Sequence, residues 1–115
     1  MKIGVYSIGS QSGLAYFADL TSQGYTVVGF ARQSTHGTIM ADTVREQGGV
    51  WLERPVNSNN EPSRFVELGN SIVSQNLADF TGCLFIILAI PSHYHVEVAA
   101  ELKAAGILNS NIPLI

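Results

Sequence analysis

The sequence predicts an α/β domain, a doubly wound, mostly parallel sheet with helices on both faces. Three observations carry this. Short apolar, β-branched runs alternate along the chain with segments whose apolar residues recur at helical spacing. The first strand, turn, helix and second strand all fit between Lys2 and Ala31, so the two strands must lie parallel with a helical crossover. The run Cys83–Ile90 is apolar at every position, as in a strand covered on both faces. The 115 residues make one domain, long enough to bury about two-thirds of the surface of the unfolded chain. Hydrophobic residues at 46% and charged residues at 13% exclude a disordered chain.

Residues 2–6 read as the first strand, and Ser7 to Gly13 as a turn rich in Gly and Ser. From Ser12 to Gln23 the residues Leu14, Phe17, Ala18 and Leu20 share one helical face, and Gly24 stands where a left-handed C-terminal glycine belongs. Thr26–Ala31 is the second strand. A polar loop over 32–37 leads into a helix over 38–47, closed by Gly48 and Gly49. Residues 50–54 and 64–68 read as a small extra strand pair, around a surface loop over 55–62 rich in Asn and Pro. Residues 72–74 form another extended piece, and 76–81 one or two helical turns ended by Gly82. The strand over 83–90 is stopped by Pro91, and Ser92 caps a helix over 93–105 that Gly106 closes. Ile112–Ile115 opens a further strand. The chain is therefore expected to continue past Ile115, with 1–115 measuring a domain within a longer protein.

The first strand-to-helix turn points to chemistry. Ser7-Ile8-Gly9-Ser10-Gln11-Ser12-Gly13 has glycines where a pyrophosphate-binding turn needs them. Free backbone N–H groups and the helix dipole at a helix N-terminus both favour an anion, and a side chain at the central glycine would block the approach. Gly9 supplies that glycine, Gly13 lets the helix pack against the first strand, and Ser7 stands in place of the usual first glycine. The bland reading is that Gly9 and Gly13 serve tight turning and close packing alone, as in flavodoxin-like and receiver domains. Receiver domains need acidic clusters at their strand ends, and this turn has none.

The second strand end distinguishes the cofactor. An NAD site places Asp or Glu there to accept from the ribose 2′-hydroxyl. Here Ala31-Arg32-Gln33-Ser34-Thr35 contains no acid, and none follows until Asp42. Arg32 would bind a 2′-phosphate, with Ser34 and Thr35 adding hydroxyls, so NADP(H) is expected, with NAD(H) as the other form the fold takes. Arg32 is otherwise a solvated loop arginine. The loop after the fourth strand, with Ala89, Ile90, Pro91 and His93, should face Gly9 across the crevice where strand order reverses. His93 and His95 are joined by no Cys or carboxylate at a metal-ligand spacing, so no metal is expected. His93 reads as a residue flanking the cofactor, or as a general base if a substrate is positioned by other groups. Cys83 reads as an apolar strand residue.

With these segments in place, MKIGVYSIGSQSGLAYFADLTSQGYTVVGFAR and NLADFTGCLFIILAIPSHYHVEVAAEL resemble the N-terminal NAD(P)-binding Rossmann domain of the octopine/nopaline (opine) dehydrogenases. More distantly, they are similar to ketopantoate reductases and glycerol-3-phosphate dehydrogenases. Ala78-Asp79 and Pro91-Ser92 match that group's lead-in and turn around strand four, and Arg32 matches its arginine at the adenosine end. Ser7 departs from its first glycine. The resemblance implies hydride transfer between NAD(P)H and an imine of an amino acid and a 2-oxo acid. It also implies that the catalytic pair and the small-molecule substrate pocket lie in a second, helical domain, so no catalytic residue is expected within 1–115. Alone, this chain would bind nucleotide without turnover.

A different class of function is a stand-alone Rossmann module that senses nucleotide or redox state, and a third is a domain whose site is vestigial. Six Lys and Arg against nine Asp and Glu give a net charge of −3, which recommends neither nucleic acid nor an acidic membrane as partner. The longest apolar run, Cys83–Ile90, falls far short of the ~18–20 residues of a membrane span. One cysteine permits no internal disulfide. A cytoplasmic location is therefore expected, and an open sheet edge gives a reason for homo-oligomers.

Overall fold

Parallel strands whose neighbours are also parallel must be covered on both faces, and the chain supplies apolar residues for both. The computed structural model describes residues 2–52, 64–107 and 112–115. It places β1 (Lys2–Tyr6), β2 (Thr26–Phe30), β5 (Ile72–Ser74) and β6 (Ile86–Leu88) in one sheet of order β5-β2-β1-β6. All three pairings are parallel, with Gly4 opposite Val28 on one side and Ile86 on the other. The chain goes outward from β1 through β2 to β5, then crosses back to β6 on the far side of β1. Strand order thus reverses between β1 and β6, as expected of a doubly wound sheet. β3 (Gly49–Leu52) and β4 (Arg64–Glu67) form a separate antiparallel pair, Val50 opposite Val66.

Side chains alternate across the sheet. Val5, Val27 and Val73 face one side, where Phe17 and Ala18 of α1 (Gln11–Ser22) and Ala41 and Val44 of α2 (Thr35–Gln47) cover them. Tyr6, Val28, Phe30, Ile86 and Leu88 face the other. There they meet Phe80 and the Val98 and Leu102 stripe of α3 (His95–Ala104). Left-handed glycines follow α1 at Gly24, end α2 at Gly48 and follow α3 at Gly106, with φ of 93°, 72° and 80°.

Several boundaries differ from those the sequence predicts. α2 begins at Thr35 and not at residue 38, because the Ser34 side chain accepts the Gly37 N–H at 3.0 Å and caps the helix inside the expected loop. The run 83–90 is regular strand only over Ile86–Leu88, and Leu84 is 53% exposed, so that run is not covered on both faces throughout. Ser92 makes no side-chain cap. A 3-10 turn over Ser92–Tyr94 precedes α3, which starts two residues later than expected. β2 stops at Phe30, one residue early. The expected strand end at 53–54 and the loop over 55–62 lie outside the described residues. The strand expected to open at Ile112 is seen as an isolated bridge: Ile115 N–H donates to the Ile86 carbonyl at 2.9 Å, and Leu114 pairs in parallel with Ile86. Residues 112–115 thus extend the sheet beyond β6. Cys83 is buried in the core beside β6, and burial pushes its thiol pKa up, as suits an apolar packing role. Among the described residues no helix is long and apolar enough to cross a membrane.

Candidate functional site

The carboxyl end of β1 turns into α1 under unusual backbone constraint. Ser7 has a φ of 77°, the only left-handed residue other than glycine among those described. The Ser7 and Ile8 N–H groups both donate to the Phe30 carbonyl at 2.9 Å, which fastens the turn to the end of β2. Ile8 is fully buried under Phe17, so it anchors the turn with its side chain. Serine at position 7 thus takes the backbone shape that a glycine would favour, at a cost of about 1–2 kcal/mol for the left-handed conformation. Ser7→Gly is expected to raise stability by about 0.5–1 kcal/mol, the released strain being partly offset by the greater freedom of glycine in the unfolded chain. Urea denaturation checks this; a lower midpoint would show that the Ser7 side chain contributes more than its backbone strain costs.

Ser10 closes the turn. Its hydroxyl accepts the Gly13 N–H at 3.0 Å as the N-cap of α1, and its one proton lies between the Ser7 and Ala89 carbonyls, each 3.0 Å away. Ala89 follows β6, so this serine ties the two loops on either side of the point where strand order reverses. The Ser10 side chain is therefore committed within the protein. By contrast, the N–H groups of Gly9, Gln11 and Ser12 make no hydrogen bond among the described residues, and Gln11 and Ser12 are exposed.

The two glycines of the turn differ in why they are glycine. A Cβ on Gly13 would fall 1.9 Å from the Ser7 carbonyl oxygen, so the turn itself demands glycine there. A Cβ on Gly9 would meet nothing closer than His36 Cδ2 at 3.4 Å, and Gly9 lies outside the left-handed region. The fold gives no reason for glycine at position 9.

Past Gly9, the structure adds a residue that the sequence reading did not single out. His36, in the first turn of α2, donates from Nε2 to the Gly9 carbonyl at 2.9 Å, linking the first turn to the loop after β2. Ile90 and Pro91 lie beyond β6. The Ile90 carbonyl accepts from His95 Nε2 at 3.0 Å, while His93 is exposed with its ring 4.2 Å from that of Tyr94. Among the described residues no group of three or more His, Cys, Asp or Glu is gathered as a metal site would need.

Arg32 and Ser34 border a second feature, an open cleft of about 930 Å³ between the ends of β2 and β5 and α3. Arg32, Ser34 and Asn76 line it, together with Tyr6 and Glu101. Ser34 accepts from Gly37 and donates to no acceptor among the described residues, and Thr35 opens α2 in an exposed position. Gln75 fixes the rim, donating to the Arg32 carbonyl at 3.2 Å and to Thr38 Oγ1 at 3.0 Å.

The strand end carries no acid of its own, but α3 brings one: Glu101 Oε1 lies 3.3 Å from Arg32 Nη2. The other carboxylate oxygen accepts from the Tyr6 hydroxyl at 2.6 Å. Burial, and then the bond to Glu101 and its charge, push the Tyr6 phenol pKa well up, so it stays protonated and donates. Neither partner was visible locally. Glu101 lies in a helix far along the chain, and the only signal was Tyr6, a phenol ending an apolar strand, whose buried hydroxyl must find a partner.

No family model matches the chain, and no curated protein matches it. Among solved structures, a protein of Bacillus halodurans named as an NAD-dependent epimerase/dehydratase aligns over 93% of this chain at 17% identity, with a TM-score of 0.48. The alignment covers 48% of that protein, so this chain spans about half its length.

Proposed function

We propose that this chain is the dinucleotide-binding domain of an NAD(P)-dependent oxidoreductase. One observation supports the reading: Gly9, which neither backbone conformation nor packing requires to be glycine, belongs to the turn into α1 where its own N–H and those of Gln11 and Ser12 have no partner among the described residues. A pyrophosphate accepts such donors and is favoured by the helix dipole. The adenosine end then lies toward Arg32, Ser34 and Thr35 at the neighbouring strand end, and the nicotinamide end toward Ala89, Ile90, Pro91 and His93 across the switch point. Gly13 and Ser10 hold the turn's shape, and Ser7 and Ile8 fasten it to β2.

The bound nicotinamide supplies a hydride. The resemblance to opine dehydrogenases makes the acceptor an imine of an amino acid and a 2-oxo acid, with the catalytic groups in a further domain of a longer protein. Within this chain, Arg32 favours the 2′-phosphate of NADP(H).

Titrating NADPH and NADH against the 115-residue chain tests both levels. A ligand at 100 times its dissociation constant adds about 2.7 kcal/mol of stability, which a thermal shift reads directly. Arg32→Ala is expected to weaken NADPH about tenfold or more, for the loss of one charge-assisted contact, and to leave NADH unchanged. No stabilisation by either nucleotide sinks the dinucleotide reading. An unchanged NADPH-to-NADH ratio in the variant sinks the assignment of Arg32 to the 2′-phosphate.

A further inference from the structure

We infer that Glu101 sets how strongly this site prefers a 2′-phosphate, acting as an internal counter-ion that competes with the phosphate for Arg32. The inference rests on the dinucleotide reading above and concerns its adenosine end. Glu101 reaches the cleft from α3, on the opposite side from the loop after β2 that carries Arg32. Its two oxygens are held unequally. The bond from Tyr6 is short, at 2.6 Å, and comes from a fully buried ring that cannot move away. The contact with Arg32 is longer, at 3.3 Å, and the arginine side chain is 52% exposed. Arg32 is therefore the partner free to turn, while the carboxylate stays on the phenol.

A 2′-phosphate entering the cleft meets a guanidinium already neutralised. To be bound, it must draw Arg32 from Glu101, and it then sits with a fixed negative charge nearby. Both effects oppose the phosphate, and neither touches an unmodified ribose to the same degree. Ser34, whose hydroxyl proton has no acceptor among the described residues, and Asn76, on the rim of the same cleft, bind either form. Glu101 is thus a positioning residue, working through Arg32 and not by taking part in chemistry.

Isothermal titration with two fragments isolates this end of the site: 2′,5′-ADP, which carries the extra phosphate, and 5′-AMP, which does not. Glu101→Gln keeps the size of the side chain and its acceptor for Tyr6 but removes the charge. It is expected to tighten 2′,5′-ADP by about tenfold, the weight of one nearby charge in a half-exposed site, with 5′-AMP changed less than about twofold. Glu101→Ala should give the same ordering if the glutamine variant folds poorly, which its melting temperature without ligand reports. A merely structural role would move both fragments together, and that result overturns the inference. A loss of 5′-AMP affinity with no gain for 2′,5′-ADP also overturns it, since Glu101 would then be an acceptor for the ribose. If the wild-type chain binds neither fragment nor either dinucleotide, the dinucleotide reading itself fails and the inference falls with it. Binding by the wild type with an unchanged ratio in both variants removes the inference alone.

Discussion

Gly13→Ala is expected to destabilise the folded chain by about 3 kcal/mol. The added methyl would sit 1.9 Å from the Ser7 carbonyl oxygen and 2.8 Å from Ser10 Oγ, and the first of these is backbone. A side chain could swing aside, but that carbonyl is held in a residue already left-handed and fastened to Phe30 through its own N–H. Relief therefore requires the turn to open or α1 to move off β1. Overpacking of this kind costs about 1–3 kcal/mol, and pushing Ser10 from its cap position costs about 1 kcal/mol more. Against this stands a gain of at most about 1 kcal/mol from alanine's better helix propensity. Urea denaturation should show a lower midpoint at unchanged slope. A loss below about 1 kcal/mol would show that the turn is softer than its hydrogen bonds imply.

What the sequence reveals of this fold follows from range. The first unit, from Lys2 to Phe30, is legible because each signal is local: β-branched runs, a helical face of Phe17 and Ala18, and a left-handed Gly24. The pairing of residues 112–115 is legible because apolar residues beside a proline suit an edge position. The start of α2 is three residues earlier than the pattern predicts because the polar stretch from Arg32 to Gly37 looks like loop until Ser34 is seen as a cap, and capping depends on backbone angles at one residue. The apolar run 83–90 predicts cover on both faces throughout, but Leu84 precedes the regular strand and is exposed. The site divides in the same way. The Gly9 turn is contiguous in sequence, so its glycines and serines can be read together. His36 on Gly9 and Glu101 on Arg32 are contacts between elements, and no spacing rule reaches from Arg32 to Glu101. The absence of an acid after β2 was a correct statement about sequence and an incomplete one about space.

Gly9→Ala is expected to separate binding from folding. Its methyl group would find His36 Cδ2 at 3.4 Å, ordinary contact, so stability should be unchanged or higher by up to about 1 kcal/mol as the unfolded chain loses freedom. Dinucleotide affinity should nevertheless fall by about 30-fold or more. The Gly9, Gln11 and Ser12 N–H groups have no partner among the described residues, and a methyl that holds a pyrophosphate off them weakens several charge-assisted bonds at once, each worth about 1.5–3 kcal/mol. Calorimetric titration with NADPH and NADH, beside denaturation of the same samples, reads both quantities. The opposite pattern at Gly13, where folding suffers first, makes the pair diagnostic. Both glycines look alike in the sequence, yet only one is demanded by the chain's own atoms. If Gly9→Ala binds nucleotide as tightly as the wild type, the turn is a packing device and the pyrophosphate does not rest on it. If it loses both stability and binding, His36 is less able to yield than its exposure indicates, and the affinity loss no longer speaks for a ligand at the turn.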